Sequence, residues 1–301
     1  MVMLNHVRGK TFVISGATSG IGLAVAEGMV RQGGNVIGIG RSPERCERVT
    51  GSLRAQHTDG NLAVVLCADL SLQSNVRRVA EEISQQLTAW NPPGLDVLIN
   101  NAATVPFWQT FTPEGFDLQW AVNHLAPFLL THELLPLLKA APRARIVTIS
   151  SGSHFNSRLD WSDIQLRRHY QPLRAYQQSK LANVLFTVEL NRQLGTASNV
   201  RAFAADPGLV NTEIGLKSNS FIARWIWNIR RKGGVPAEQS ARGIIKLATD
   251  PSIHESHEIY WKNGKPVKAD PYALDLKSAG RLWEISVQMC GLAPVARRSG
   301  D

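Results

Sequence analysis

Short apolar runs rich in β-branched residues recur at residues 11–15, 35–40, 62–68, 95–100, 145–150 and 199–205, and the stretches between them carry apolar positions at helical spacing. Strands that alternate with helices predict a parallel sheet covered on both faces. The runs are apolar at consecutive positions, as in Val13-Ile14 and Val97-Leu98-Ile99. That fits strands buried on both sides rather than strands with one wet face. A further run at 258–261 is expected to add an edge strand, and 270–292 reads as a loop followed by a helix. The expected fold class is α/β, a doubly wound parallel sheet of about seven strands. No repeat, low-complexity tract or long linker divides the chain, so residues 1–301 are expected to form a single domain.

Composition narrows the class without naming a function. With 44% hydrophobic and 19% charged residues, the chain can bury a large core. Cys46, Cys67 and Cys290 are few and widely spaced, which argues against a disulfide framework or zinc knuckle and for a reducing compartment. No apolar run approaches the length of a membrane span, so a cytoplasmic location is expected. His154 and His169 lack metal-ligand spacing, and no metal is expected.

Candidate chemistry begins directly after the first strand, where Gly16-Ala17-Thr18-Ser19-Gly20-Ile21-Gly22 leads into a helical pattern. Glycines permit a tight turn and close backbone approach to a pyrophosphate, which the following helix N-terminus stabilises. After the second strand stands Arg41, with Arg45 a turn later, where an acidic residue would bond the ribose 2′-hydroxyl of NAD. A guanidinium grips a 2′-phosphate instead, so the expected cofactor is NADP(H). Asp69-Leu70 ends the third strand, where Asp69 either bonds the adenine amine or caps the next helix, and Asn101 and Ala102 after the fourth strand would lie beside the cofactor. Tyr176 and Lys180 stand four apart, on one face if their segment is helical. A neighbouring ammonium lowers a phenol below its ordinary pKa of about 10, which makes Tyr176 a candidate general acid/base.

Together these segments, with Asn123-His124-Leu125, Ser150-Ser151, Tyr176 to Phe186 and Pro207 to Thr212, resemble the short-chain dehydrogenase/reductase superfamily. Thr112 to Phe116, Ser179 to Phe186 and Arg281-Leu282-Trp283 resemble its retinol-dehydrogenase-like branch. The resemblance implies a Rossmann-type sheet and a catalytic set of Asn123, Ser151, Tyr176 and Lys180. It implies that Lys180 bonds the nicotinamide ribose, that Asn123 holds a relay water, and that Pro207, Gly208, Val210 and Thr212 complete the cofactor site. The 25 positions from Ser151 to Tyr176 include an insert typical of that branch. Ser15 in place of threonine, Ala103 in place of glycine and Asp206 in place of histidine are departures that remove no catalytic group.

The surplus of charge also has a place. Of the net +9, more than half sits in one acid-free stretch holding Lys217, Arg224, Arg230, Arg231 and Lys232. On a helical wheel Phe221, Trp225 and Ile229 share a face that Arg224 and Arg231 oppose. Residues 212–235 are therefore expected to form a lid over the substrate, with peripheral membrane contact through 217–232 as the alternative. Phe107, Trp108, Phe155, Phe221 and Trp225 are the candidate substrate contacts. The expected reaction is NADP(H)-dependent interconversion of a hydrophobic alcohol and its aldehyde or ketone. A redox-sensing NADP(H) module and a sugar-nucleotide epimerase are the alternatives. No nucleic-acid partner is expected, because the basic stretch has no recognition motif around it. The resemblance implies a homodimer or homotetramer paired through the segments around Asn123 and Tyr176.

Overall fold

A computed structural model of the chain describes residues 6–56, 60–208 and 235–293. One eight-stranded sheet runs in the order β3-β2-β1-β4-β5-β6-β7-β8. Its strands are β1 Thr11–Ser15, β2 Asn35–Gly40, β3 Ala63–Cys67, β4 Val97–Asn100, β5 Ala144–Ile149, β6 Val200–Asp206, β7 Tyr260–Lys262 and β8 Lys265–Pro266. β1 to β7 pair in parallel, and β8 returns antiparallel to β7. The expected doubly wound α/β sheet is present with one strand more than the apolar runs suggest. The 258–261 run supplies β7, which is not the edge. That place belongs to β8, two exposed residues with no apolar signal, whose Pro266 is tolerated at an edge because it has no N–H to donate.

Both faces of the sheet are buried, and alternate side chains feed different layers. Phe12 and Ile14 enter one layer with α1 Gly20–Arg31, α2 Pro43–Ala55 and the helix Ala237–Thr249. Val13, between them, enters the other with α3 Gln73–Trp90, α5 Ala126–Ala140, α6 Pro172–Leu194 and the C-terminal helix Leu276–Met289. Strand order reverses between β1 and β4, and at such a switch point the carboxyl ends of the strands open a crevice.

Two local structures set the crevice walls. The N-terminus of α3 is capped by the distant Glu114, whose carboxylate accepts from Gln73 N at 2.7 Å and Ser74 N at 3.2 Å. Asp69 does not cap it, because its carboxylate accepts from Ser71 N in a local turn. Ahead of α5, the turn α4 Leu118–Trp120 widens into a π turn, Ala121–Leu125, that carries Asn123. Pro127 has no N–H for the carbonyl four residues back, which relaxes the helical ladder at that point.

α6 begins on Pro172, whose fixed φ suits a first helical position. Every residue from Gln178 to Leu190 is buried, so this helix is enclosed all round rather than amphipathic. The C-terminal helix completes the enclosure. Trp283 stacks on Phe186 at 6.0 Å and meets Phe128 edge-on at 4.9 Å, and His124 Nε2 lies 2.8 Å from Ser286 Oγ. Leu282, buried in the same layer, should when replaced by Ala lower the unfolding free energy by about 2–5 kcal/mol in a denaturant titration. A loss below about 0.5 kcal/mol would show that the helix adds no core.

Candidate active site

Six consecutive parallel strands deliver their carboxyl ends, and each expected site segment among the described residues follows one of them, lies on α6 or, for Asn123, lies in the π turn ahead of α5. At the end of β1, Gly16 takes φ +70 and Gly20 φ +56, conformations that favour glycine. A Cβ on Gly22 would fall 2.3 Å from Gly16 O and 2.5 Å from Asn101 Nδ2, so the turn closes tightly against the end of β4. The Ser15 hydroxyl accepts from Asn101 N at 2.9 Å and Ala102 N at 3.0 Å. Asn101 donates its side-chain amide to Ser15 O at 2.9 Å. Asn101 thus clamps the glycine turn, and its side chain is spent on the chain itself. Ser15 is the residue the pattern undervalued, since its hydroxyl joins β1 to β4.

The helix α1 opens at Gly20 with no side-chain cap from Ser19 and no acid in its first turn. Thr18 reaches across to β2, where a Cβ on Gly40 would fall 2.3 Å from its methyl group. Arg41 follows, exposed, and among the described residues no ion pair is formed by its guanidinium. Pro207 is anchored by Ser240 Oγ donating to its carbonyl at 2.7 Å, and Gly208, at φ +76, donates its N–H to Asp206 Oδ1 at 2.8 Å. Leu70 is buried in the core beside α3.

The end of β5 meets α6. Lys180 is buried and donates Nζ to the carbonyl of Ile149 at 3.0 Å, while its Nζ lies 5.6 Å from the centre of the Tyr176 ring. Desolvation pushes the ammonium down to about 8. The Ser150 hydroxyl is committed to Lys180 O at 2.7 Å. Ser151, half-buried, starts a 3-10 turn, Gly152–His154, and its hydroxyl donates to Ser153 Oγ and accepts from Ser153 N, each at 3.2 Å. Asn123 is fully occupied by other segments: Oδ1 accepts from Thr104 N at 2.8 Å, and Nδ2 donates to Thr104 O at 3.0 Å and Ser179 Oγ at 3.2 Å. It ties the loop after β4 to α6.

That loop and the insert after Ser151 form one wall. Tyr170 donates to Pro106 O at 3.0 Å, Gln109 to Gln165 O at 3.0 Å, and Asp117 N donates to Gln165 Oε1 at 2.7 Å. Phe107 and Trp108 meet edge-on at 6.2 Å, with Trp108 77% exposed. Phe155 is 40% exposed and lies over His154. Val210, Thr212, Phe221 and Trp225, with the lid 212–235 and the basic stretch 217–232, lie outside the described residues. A hollow of about 340 Å³ beside Arg192, Arg201 and His257 sits at the start of β6, away from the strand carboxyl ends.

A family model described as short chain dehydrogenase matches residues 10–222. The chain belongs to the short-chain dehydrogenase family. It is 36% identical to human dehydrogenase/reductase SDR family member 13, over 97% of this chain and 76% of the relative. It is also 36% identical to mouse retinol dehydrogenase 14, over 95% and 87% respectively. These place it in the retinol-dehydrogenase-like branch of a family of oxidoreductases that use nicotinamide cofactors. A metagenomic short-chain oxidoreductase solved in complex with NADP superposes with a TM-score of 0.64 at 25% identity, covering 88% of this chain and all of that one. Among the described residues no helix is long and apolar enough to cross a membrane.

Burial of Lys180 makes a measurable statement about this short-chain dehydrogenase. Its folded pKa of about 8 lies below the ordinary 10.5, so between those values the unfolded chain binds the extra proton and this group's penalty on folding fades as pH rises. In the cofactor-free protein, carbon NMR of the lysine ε-position should titrate with a midpoint near 8. A midpoint at the ordinary lysine value would show that water reaches the amine.

Proposed function

We propose that the protein is an NADP(H)-dependent alcohol dehydrogenase/carbonyl reductase acting on a hydrophobic alcohol or its aldehyde or ketone. The observation that carries the reading is the buried Lys180 amine, held against the last carbonyl of β5 between the Tyr176 ring and the turn of Ser151. Buried cations with displaced pKa values gather at functional sites.

The residues present suit a dinucleotide. The uncapped start of α1 leaves its first N–H groups free for a pyrophosphate, and the exposed guanidinium of Arg41 at the end of β2 suits a 2′-phosphate. The NADP named for the metagenomic relative supports the same choice. When bound, the nicotinamide supplies or accepts the hydride.

In reduction, Tyr176 donates a proton to the carbonyl oxygen, and in oxidation it removes the proton from the hydroxyl. Ser151 donates a hydrogen bond to that oxygen and stabilises the charge that develops there. The Lys180 ammonium favours the phenolate of Tyr176, and that charge is present below about pH 8 and lost above it in the cofactor-free protein. Because the Asn123 amide is committed on both sides, its part in a proton relay falls to its main-chain carbonyl, which Pro127 leaves without the usual helical donor. A greasy substrate suits the exposed Trp108 and Phe155 and the half-buried Phe107, and the printed names of the curated relatives support a retinoid-like or other lipid carbonyl. A homodimer or homotetramer would find little of α6 to pair through, because Gln178 to Leu190 are buried within the chain.

Tyr176→Phe should keep NADPH affinity within a few fold while turnover of an aldehyde disappears, and near-normal turnover would reject Tyr176 as the acid. Arg41→Ala should weaken NADPH binding by roughly ten- to a hundred-fold, the worth of a charge-assisted contact, and leave NADH nearly unchanged in a fluorescence titration. Equal losses with both cofactors would assign Arg41 another role.

A further inference from the structure

Behind the turn that carries Ser151, His154 has no exposed surface. Nδ1 lies 2.8 Å from Ser151 O, and Nε2 accepts from the main-chain N–H of Asp270 at 3.2 Å. An amide N–H can only donate, so Nε2 is bare and the ring proton sits on Nδ1, donating to the Ser151 carbonyl. The same carbonyl accepts from His154 N at 3.1 Å, which tightens the turn. Rings pack around the imidazole, Phe155 at 4.2 Å and Tyr260 at 4.5 Å.

Asp270, which dictates the tautomer, is itself fixed. Its carboxylate accepts from Asn156 N at 2.9 Å and from Tyr272 N at 2.9 Å, and it pairs with Arg158 at 3.5 Å. The turn Pro271–Leu274 then leads into the C-terminal helix, whose Ser286 Oγ accepts a hydrogen bond from His124 Nε2 in the π turn of Asn123. Ser286 spends its own proton on Leu282 O, which sets the direction of that bond. Asn123 returns to α6 through Ser179. The segment from 270 to 289 thus joins the Ser151 turn to the turn that holds Asn123.

We propose that His154 is a positioning residue for the reaction: through its Nδ1–H, with the tautomer set by Asp270, it holds the main chain of Ser151 and so aims the Ser151 hydroxyl at the substrate oxygen. The proposal rests on the reading that Ser151 touches that oxygen. The charged and titratable groups facing the ring are Asp270 with its Arg158, and Asp206 with its Lys262 and the neighbouring Tyr260. The two carboxylates favour a charged imidazole, but desolvation outweighs them and keeps the ring neutral below the ordinary histidine range. The brace therefore holds at neutral pH. Protonation in acid would put a second N–H at Nε2, facing the Asp270 N–H, and release the C-terminal segment.

The test uses the full chain with NADPH and decanal as the probe carbonyl. His154→Leu should lower kcat about ten- to a hundred-fold, as a misplacement of about an ångström does, with KM for NADPH unchanged within a few fold. His154→Asn, which keeps a donor near the Nδ1 position, should recover most of that loss. In a Ser151→Ala background His154→Leu should cost nothing further, because residues acting through one another are not additive. A full additional loss in that background, undiminished kcat in His154→Leu, or an Asn variant no better than Leu would overturn the proposal. The ring tautomer, read by nitrogen NMR in the wild-type protein, decides it without turnover: a proton on Nε2 would overturn it. Absence of turnover in the wild type, or a Ser151→Ala variant at full rate, would instead overturn the functional reading.

Discussion

The carbonyl of Ile149 accepts two donors from one helix, Lys180 Nζ at 3.0 Å and Asn183 Nδ2 at 3.1 Å, while Ser150 returns a bond from the strand end to Lys180 O. This stitch locks the end of β5 to α6, so the turn of Ser151 and the side chain of Tyr176 keep a fixed relation. Burying an ammonium is costly, and one neutral carbonyl does not offset the lost hydration, which is why the amine is held at about 8. A fold selected for stability alone would fill this position with an apolar side chain. The retained cation beside the phenol is the physical basis of the proposed chemistry.

The rest of the architecture serves that stitch. A parallel sheet brings the carboxyl ends of β1 to β6 to one edge, so that turns far apart in the chain face one crevice. Ser15 and Asn101 bind the glycine turn to β4, and Asn123 binds the loop after β4 to α6. The C-terminal segment 270–289 then encloses α6 and reaches both ends of the site, Ser286 through His124 and Asp270 through His154. Residues after β6 thereby become part of the support for a candidate site built before it.

What could be read in advance was what depends on local pattern. Consecutive apolar positions marked β1 to β7, glycines marked the turn after β1, and the spacing of Tyr176 and Lys180 placed both on one helix. Contacts between distant segments left no such trace. Glu114 caps α3 from 41 residues away, and nothing near Gln73 announces it. His154 looked unremarkable because its partner Asp270 lies 116 residues on. Position after β4 places Asn101 beside the cofactor, and the resemblance gives Asn123 a relay water; that their amides also bond Ser15, Thr104 and Ser179 has no trace in the pattern. β8 is too short and too polar for any periodicity to reveal.

In the proposed reaction this crevice transfers hydride between NADP(H) and a hydrophobic carbonyl. The most direct measurement follows NADPH absorbance with the purified protein across long-chain aldehydes, ketones and retinal, with identification of the alcohol formed. Saturable NADPH consumption matched mole for mole by alcohol, and favoured by the more apolar substrates, is expected. Tight NADPH binding with no consumption across the panel would contradict it.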